Sequence, residues 1–231
     1  MFRNDIQILV FCFMVFVFTG AITDQPVKQK LIFSDEFSCN ELSDNWIIEK
    51  SGNEKDVCRI QNGVLELNSN EGVTVWYKEK LSGDILIEFD RRIIMAGGIH
   101  DRLSDLNQFW MATDPMNKMF TRKGNFPEYD SLQMYYAGMG GNYNTTTRMR
   151  RYDGKGKKMI LGELTDSAHL LKPDKNYHIV ITCKNGKTGF NVNGEVFFSF
   201  DDDDPFTSGW FAFRSTKSHQ VIDNLKIWQL E

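Results

Sequence analysis

Apolar and polar residues alternate in short runs along most of the chain, and Gly, Asn, Asp or Pro separates one run from the next. A period of two is typical of half-buried β-strands, whereas an amphipathic helix would repeat its apolar residues every three or four positions. No long stretch of the sequence has the helical period. The pattern therefore predicts an all-β sandwich or barrel. The predicted strands are residues 31–33, 64–67, 74–77, 85–94, 107–112, 132–137, 146–152, 177–184, 187–192, 195–200, 210–215 and 221–228.

Two dipeptides near the C-terminus favour tight hairpins. Asn185-Gly186 and Asn193-Gly194 each lie between two β-rich runs, and Asn-Gly suits the left-handed backbone of a two-residue hairpin turn. No internal repeat and no Pro-rich or Gly/Ser-rich linker divides the chain. We therefore expect one domain over residues 22–231.

The first residues have the pattern of an export signal. Arg3 and Asp5 precede the apolar run 8–18, and the small residues 19–21 follow it. This run is short for a bilayer span, which favours a signal peptide over residues 1–21, with an uncleaved membrane anchor as the alternative. The expected location is secreted or periplasmic, with no membrane contact after cleavage.

The charge balance is mildly acidic, at 27 Lys and Arg against 31 Asp and Glu. It predicts no general attraction to nucleic acids or to anionic membranes, so any basic site must be local. Because Arg148 and Arg150 are two apart in a predicted strand, both point to one face, where guanidinium groups hold a carboxylate or sulfate. A solvated face is the expected role of the nearby lysines. The whole basic cluster is Arg148, Arg150, Arg151, Lys155, Lys157 and Lys158.

Three cysteines follow the predicted signal peptide: Cys39, Cys58 and Cys183. An odd number allows one internal disulfide at most. Cys183 lies in an apolar β-like run, so the choice is between a Cys39–Cys58 pair and three free thiols.

Motifs for metals and cofactors are absent from the sequence. No Cys and His spacing typical of zinc, no phosphate-binding Gly loop and no nucleophile elbow occurs. The acidic run 201–204 lacks the alternation of a calcium loop, and a solvated turn is the expected structure. We expect neither a metal site nor a cofactor.

Candidate chemistry lies in the middle of the chain. Tyr135 and Tyr136 are neighbours in a predicted strand, so one faces the core and the other faces outward. Alternation alone does not decide which, and Tyr136 is taken as the outward one. His100 lies in a Gly-flanked stretch just before Asp105 and Asn107, and a loop histidine is the usual general base near neutral pH. An ordinary surface histidine is the alternative.

Two sets of segments resemble known proteins. Residues 193–197, 209–214 and 222–228 resemble the closing strands of concanavalin A-like lectin and glucanase domains. Residues 105–112, 126–129, 135–142 and 147–152 resemble the YesU-like family, which comprises jelly-roll proteins of bacterial polysaccharide-utilisation loci for pectin- and ulvan-type uronic acid polymers. The resemblance implies an all-β, concanavalin A-like jelly-roll β-sandwich of two antiparallel sheets. It also implies an acidic oligosaccharide as the ligand and elimination on uronates as the chemistry.

The main hypothesis is a carbon-oxygen lyase or dehydratase that acts by β-elimination on uronic-acid oligosaccharides. Elimination requires neutralisation of the carboxylate, a base for the C5 proton and an acid for the leaving C4 oxygen. Arginine with Asn suits the first role, and His100 and a tyrosine suit the other two. The expected catalytic residues are His100, Tyr136 and Arg148. The expected substrate-binding residues are Asp105, Asn107, Tyr135, Asn142, Arg150 and Arg214.

Two alternatives remain open. A non-catalytic carbohydrate-binding module would keep the basic and aromatic groove without proton transfer. A glycoside hydrolase would need two acidic residues across the scissile bond. Glucanases of this fold place these acids in a Glu-x-Asp-x-Glu strand, and here Glu88 and Asp90 are followed by Arg92, which disfavours hydrolysis. The other acids available for such a pair are Asp105, Glu128 and Asp130.

Overall fold

The computed structural model describes residues 29–51 and 56–231, and this part of the chain is built mainly from strands. They are interrupted by a 3₁₀ helix, Phe126–Ser131, and by a four-residue helical turn, Gly141–Asn144. The strands are β1 (Gln29–Asp35), β2 (Trp46–Lys50), β3 (Val57–Gln61), β4 (Val64–Ser69), β5 (Val73–Tyr77), β6 (Leu81–Ser82), β7 (Ile85–Ile93), β8 (Leu106–Thr113), β9 (Gln133–Gly140), β10 (Thr146–Asp153), β11 (Lys158–Leu164), β12 (Asn176–Lys184), β13 (Lys187–Val192), β14 (Glu195–Asp201), β15 (Ser208–Ser215) and β16 (Ser218–Leu230).

These strands form two antiparallel sheets around a shared core. The front sheet has the order β11-β10-β9-β8-β15-β5-β2, and β6 also pairs with β15. The back sheet has the order β14-β13-β12-β7-β16-β4-β3, and β1 also pairs with β16. Many neighbours in a sheet are distant in sequence, as in double-sheet jelly rolls. The prediction of an all-β fold with two antiparallel sheets is confirmed.

The apolar core lies between the two sheets. Along β7 every second residue is buried, and Ile85, Ile87 and Phe89 point inward. Phe211 and Phe213 of β15 meet them from the front sheet, and the ring centroids of Phe89 and Phe213 are 4.9 Å apart. Burial of each such side chain contributes about 1.5–3 kcal/mol. The alternating pattern thus places apolar side chains between the sheets, where their burial is the main stabilising contribution to the sandwich.

Each of the predicted strands overlaps an observed one, and the strands that the pattern missed are β2, β3, β6 and β11. Three of these lie at sheet edges: β2 and β11 at the two ends of the front sheet, and β3 at one end of the back sheet. An edge strand packs against a single neighbour, so its alternation is weaker than that of a central strand. The fourth, β6, has only two residues.

The cysteines of the described residues are free thiols. Cys58 lies on β3 opposite Leu67, and Cys39 is exposed in the segment after β1. Burial raises the pKa of Cys58 to about 12 and that of Cys183 to about 11. The Cys39–Cys58 pair is therefore wrong, and the alternative of three free thiols is the one that the fold adopts.

The predicted signal peptide, residues 1–21, lies outside the described residues. Export and cleavage therefore stay predictions. In the part of the chain that the structure describes, no helix is long and apolar enough to cross a membrane.

The connection between β8 and β9, residues 114–132, forms a segment that we call the strap. Connections of this length are uncommon in compact domains and are frequently functional. The strap crosses the outer face of the front sheet and covers a second apolar cluster there. The buried members of this cluster are Trp76, Phe109, Ala112, Tyr129, Leu132, Met134, Tyr136, Tyr152 and Ala212.

Arg122 holds the strap together. Its side chain is 8% exposed and donates hydrogen bonds to the Asp114 Oδ2 atom at 2.5 Å, the Glu128 carbonyl at 2.8 Å and the Ser131 hydroxyl at 2.9 Å. The main-chain N–H of Arg122 donates to Glu49 Oε1 on β2 at 2.7 Å. Hydrogen bonds thus hold the strap against the front sheet. The part of the sheet's outer face that the strap does not cover is open to solvent.

Candidate functional site

A row of mainly polar residues crosses the outer face of the front sheet. Each member is the registered partner of the next one on the neighbouring strand, and registered partners point to the same face. From β2 to β11 the row is Glu49, Thr74, Arg214, Asn107, Gly138, Arg148 and Glu163. These residues are far apart in sequence, so strand order alone brings them together.

The strap covers one end of this row. Glu49 is 3% exposed, and Thr74 and Arg214 are fully buried. The Glu49 Oε2 atom accepts hydrogen bonds from the Trp76 indole N–H at 2.8 Å and the Tyr129 hydroxyl at 3.0 Å. The covered end therefore serves the packing of the strap. The other end, at Arg148, is accessible to a ligand.

A pocket of about 270 Å³ lies at this open end. Four parts of the fold supply its walls: the loop 94–105 before β8, strands β9 and β10, the turn Gly141–Asn144, and the strap. The lining residues are Arg102, Ser104, Asp105, Phe126, Tyr136, Gly138, Gly141, Asn142, Tyr143, Thr146, Arg148 and Arg150.

Gly138 forms the floor of the pocket because no larger residue fits there. A Cβ atom at this position would collide with the Tyr136 hydroxyl and with the Asn107 Oδ1 atom. The ring of Tyr136, two residues earlier on the same face of β9, lies over Gly138 and donates its hydroxyl proton to Asn107 Oδ1 at 2.9 Å. The missing side chain thus makes room for a hydrogen bond that closes the floor.

Arginines dominate the charge of the pocket. Arg102 is paired with Asp105 at 2.5 Å, and Arg148 is paired with Glu163. Among the described residues Arg150 has no carboxylate within ion-pair distance, and its guanidinium lies 5.3 Å from the centroid of the Tyr136 ring. A guanidinium group that faces an open pocket without a carboxylate partner favours an anionic ligand.

Tyr136 is protonated at neutral pH. Burial raises its pKa above the ordinary tyrosine value, and the neighbouring Tyr152 raises it further, whereas Arg150 acts in the opposite direction. Burial likewise raises the pKa of Tyr152. Both phenols therefore stay protonated and do not act as phenolate bases, and the hydroxyl proton of Tyr136 is donated to Asn107.

The turn Gly141–Asn144 displays a tyrosine at the rim. Asn142, Tyr143 and Asn144 all have left-handed φ angles, of 52°, 61° and 61°. Asn tolerates this conformation, but a residue such as tyrosine adopts it at a cost of about 1–2 kcal/mol. The Asn144 side chain anchors the turn through hydrogen bonds with both main-chain groups of Leu171. Tyr143 is 81% exposed, and the Arg102 guanidinium lies 5.3 Å from its ring centroid.

A buried arginine supports the floor from inside the sandwich. Arg91 on β7 is 1% exposed, and its Nη1 atom donates to the Asn107 carbonyl at 2.5 Å while its Nη2 atom donates to the Arg214 carbonyl at 3.3 Å. Gln220 accepts a further hydrogen bond from it. Arg91 therefore links β8 and β15 directly beneath the polar row.

Most of the expected site residues are near the pocket. Asp105, Tyr136, Asn142, Arg148 and Arg150 line it. Asn107 and Arg214 lie under it: Asn107 is 2% exposed beneath the Tyr136 hydroxyl, and Arg214 is fully buried beneath the strap. The predicted alignment of Arg148 and Arg150 on one face agrees with this arrangement. Lys155, Lys157 and Lys158 do not line the pocket.

His100 corrects one expectation. It is not among the residues that line the pocket, and its Nδ1 atom lies 2.7 Å from the Asn68 Oδ1 atom on β4 of the back sheet. The loop 94–105 places Arg102 and Asp105 at the pocket but turns His100 toward the opposite sheet. Sequence proximity to Asp105 was therefore a poor guide to its position.

The expectation that Tyr135 binds the substrate is also wrong. It is 1% exposed on the inner face of β9, and its hydroxyl donates to Asp202 Oδ2 at 2.5 Å. Arg151 donates to the same oxygen at 2.8 Å. Tyr135 is therefore part of the core and does not reach the pocket. The acidic run 201–204 is likewise not only a solvated turn, because Asp202 has these two partners.

Several residues at the site were missed by the sequence patterns. Among them, Arg102, Phe126 and Tyr143 line the pocket, and Glu163 pairs with Arg148. The run Gly140-Gly141-Asn142-Tyr143-Asn144 could have predicted the turn that carries Tyr143, since Gly and Asn favour a left-handed backbone and tight turns. Phe126 lies in the resembling segment 126–129 but had no assigned role, and Glu163 had no signal, because only long-range packing places it beside Arg148.

In the described residues, His, Cys, Asp and Glu side chains form no group of three or more that could hold a metal ion. The charged groups at the pocket are mainly guanidinium groups, which are not metal ligands.

Several solved structures resemble this one in fold. A Bacillus subtilis protein of unknown function with a galectin-like fold has a TM-score of 0.69 at 16% identity, over 88% of this chain and 98% of that chain. The carbohydrate-binding module CBM66 from Bacillus subtilis has a TM-score of 0.56 at 12% identity, over 78% and 93%. An endo-β-1,3-glucanase from Pyrococcus furiosus has a TM-score of 0.64 at 11% identity, over 89% and 96%.

These likenesses confirm the jelly-roll fold, and at such low identities they show the fold alone. The comparison with curated proteins found no match. The finer resemblance to the YesU-like family stays a prediction. Residues 67–225 match the family described as "Domain of unknown function (DUF6250)". Because this match spans more than half of the 231 residues, the chain belongs to the DUF6250 family.

Proposed function

We propose that this protein binds an anionic oligosaccharide, with uronate or sulfate groups, in the pocket at Arg148 and Arg150. The observation that carries the proposal is Arg150, a cation that lines the pocket without a carboxylate partner in the described part of the chain. Planar guanidinium groups bind carboxylate and sulfate oxygens through paired hydrogen bonds. Among the fold neighbours, one is named as a carbohydrate-binding module and another as a glucanase.

The rest of the lining suits a sugar. Tyr143 offers an exposed aromatic ring, and Asn142 and Thr146 offer groups that donate and accept hydrogen bonds. An amphipathic ring with convergent polar groups is typical of sites that fix the orientation of a polar ligand. The strap closes the front sheet on one side of the pocket, so we expect a chain end or a short segment of glycan to bind, not a long chain laid across the whole sheet.

Binding without chemistry is the form of this proposal that the pocket supports best. A glycosidase needs two acidic groups across the scissile bond. Asp105 is the only carboxylate that lines the pocket in the described residues, and it is paired with Arg102. Elimination needs a base, and no described histidine lines the pocket. The non-catalytic alternative is therefore preferred over the lyase or dehydratase hypothesis.

One observation keeps elimination as a second candidate. Tyr136 lines the pocket beside Arg150, and its hydroxyl is protonated, so after release from Asn107 it would act as the proton donor next to a carboxylate-neutralising group. Asp105 would then have to serve as the base after release from Arg102. Absorbance of a 4,5-unsaturated uronate on mixing with pectin- or ulvan-derived oligosaccharides supports this candidate, and binding without any such absorbance rejects it.

The test of binding compares Arg150→Met with Arg59→Met. Both variants lose one positive charge, but Arg59 lies on β3 of the back sheet with a half-exposed side chain paired to Glu66. Calorimetry with uronate oligosaccharides is expected to show an affinity loss of about tenfold or more for Arg150→Met, the usual size of a lost charge-assisted hydrogen bond. Arg59→Met is expected to bind like the unchanged protein.

Carboxyl-reduced oligosaccharides provide the ligand control. The unchanged protein is expected to bind them much more weakly than the uronate forms, and Arg150→Met is expected to narrow this difference. Equal affinity of the unchanged protein for the charged and the reduced ligand would contradict the proposal.

A further inference from the structure

Arg214 is an unusual group for the interior of this protein. Its side chain is fully buried on the outer face of the front sheet, directly next to Asn107 in the polar row. Its Nη2 atom donates to the Gly124 carbonyl at 3.1 Å, but its Nε and Nη1 atoms have no hydrogen-bond partner in the described part of the chain. No described carboxylate lies within ion-pair distance of it. Buried charges are normally paired, because a charge removed from water without a partner is costly.

Phe126 is what separates this guanidinium from the pocket. The Phe126 ring centroid lies 4.6 Å from the Arg214 guanidinium and 5.9 Å from the centroid of the Tyr136 ring, and Phe126 is itself part of the pocket lining. Tyr129 contributes a second ring, 5.8 Å from the guanidinium. Aromatic faces stabilise a cation only in part and satisfy no N–H donor in the plane of the guanidinium group.

The Phe126 ring can move while the main chain next to it stays in place. Phe126 begins the 3₁₀ helix, and it follows Gly124, whose φ angle is +82°, and the exposed residue Asn125. Gly124 also lies close to Gly72 of the segment before β5. This contact and the hydrogen bond from Arg214 hold the main chain at Gly124. The side chain of Phe126 is only half-buried and can therefore rotate without unfolding of the strap.

We infer that Arg214 is a latent receptor for an anionic group of the ligand, and that the ligand reaches it by displacing the Phe126 ring. This inference rests on the proposed function and extends it: one acidic group binds at Arg150, and a second one binds at Arg214 beneath the pocket floor. A carboxylate or sulfate there accepts hydrogen bonds from donors that are unsatisfied in the free protein. The ligand class is thus a glycan with acidic groups on two adjoining sugars, and not a single acidic sugar.

The test compares Phe126→Ala with Phe120→Ala. Both substitutions truncate a phenylalanine of the strap, but Phe120 packs against Trp76 and Trp210 and does not cover Arg214. Calorimetry with galacturonate oligosaccharides is expected to show at least threefold tighter binding for Phe126→Ala, because no ring has to be displaced. Phe120→Ala is expected to bind as the unchanged protein does. Equal or weaker binding by Phe126→Ala overturns the inference.

A second measurement does not depend on any substitution in the strap. The Arg214 Nε–H cross-peak in a nitrogen-15 NMR spectrum is assigned by its loss in Arg214→Lys. The unchanged protein is then titrated with galacturonate trimer and, separately, with galacturonate monomer. The inference expects this cross-peak to shift with the trimer and to stay in place with the monomer. A cross-peak that does not move at saturation with the trimer overturns the inference while the proposed function stands. Absence of any binding overturns both.

Discussion

At the residue scale, the site depends on one hydrogen bond across a glycine. The Tyr136 hydroxyl lies over Gly138 and satisfies the buried Asn107 Oδ1 atom. Arg91 holds the Asn107 main chain from the other side of the sheet. The Asn107 position in the pocket floor is therefore fixed from both faces of the front sheet before any ligand binds.

We expect Tyr136→Phe to lower the free energy of unfolding by about 1–3 kcal/mol, because it leaves the buried Asn107 oxygen without a donor. Tyr143→Phe is the matched control, since it removes the same atom from a side chain that is 81% exposed. Urea unfolding of both variants checks the prediction. Equal stabilities of the two variants would show that the buried hydrogen bond contributes nothing.

At the scale of elements, the strap decides how much of the front sheet a ligand can reach. It covers the aromatic cluster and the Glu49 end of the polar row, and it leaves the Arg148 end open. Arg122 is its main internal tie, and the Glu49 carboxylate is its main tie to the sheet. The strap therefore shapes the pocket even though only Phe126 of the strap lines it.

Arg122→Ala is expected to destabilise the protein by about 3 kcal/mol or more, since it leaves the buried Asp114 carboxylate without its partner. We expect faster amide hydrogen exchange over residues 114–132 with little change in the back sheet. Lys123→Ala, the removal of a neighbouring exposed side chain, serves as the control. Uniform acceleration of exchange over the whole sandwich would contradict a local role of Arg122.

At the scale of the whole molecule, two carboxylates tie loops to the sandwich. Asp202 joins the segment after β14 to Tyr135 and Arg151 of the front sheet. Asp101 joins the loop 94–105 to His219 of the back sheet. Burial alone would raise the pKa of both, but hydrogen bonds to the charged forms outweigh it and hold each pKa below the ordinary aspartate value.

These lowered pKa values give the sign of the pH dependence. The folded state binds fewer protons at Asp202 than the unfolded state does, so its contribution is complete above the unfolded pKa of about 3.9 and is lost as the pH falls through the lower folded value. We expect Asp202→Asn to be less stable than the unchanged protein at pH 6, with the difference shrinking below about pH 4. Urea unfolding over this range measures it, and a difference that is independent of pH would contradict it.

The pH dependence has to be measured on single variants, because the acidic groups do not all change the free energy of unfolding in the same direction with pH. Burial raises the pKa of Asp223, and the nearby Asp90 and Glu36 raise it further, although the Asn224 N–H acts against this. The contribution of Asp223 thus has the opposite sign, and the pH profile of the unchanged protein alone would mix the two effects.

Local patterns in the sequence were sufficient for the fold class. A period of two in the central strands and the Asn-Gly turns predict antiparallel β-structure, and the spacing of Arg148 and Arg150 predicts their common face. These signals are local, because side-chain alternation and hairpin geometry depend on a few adjacent residues. Because an edge strand packs against one neighbour only, its alternation is weaker, and three edge strands, β2, β3 and β11, were missed.

Only the tertiary structure decided which groups meet. Alternation shows that Tyr135 and Tyr136 face opposite sides, but the strap and the core determine which side is the pocket. His100 and Arg102 lie in one short loop, yet they point to different sheets. Strand order in a jelly roll joins residues that are distant in sequence, so the polar row and the buried Arg214 follow from long-range packing that no local pattern encodes.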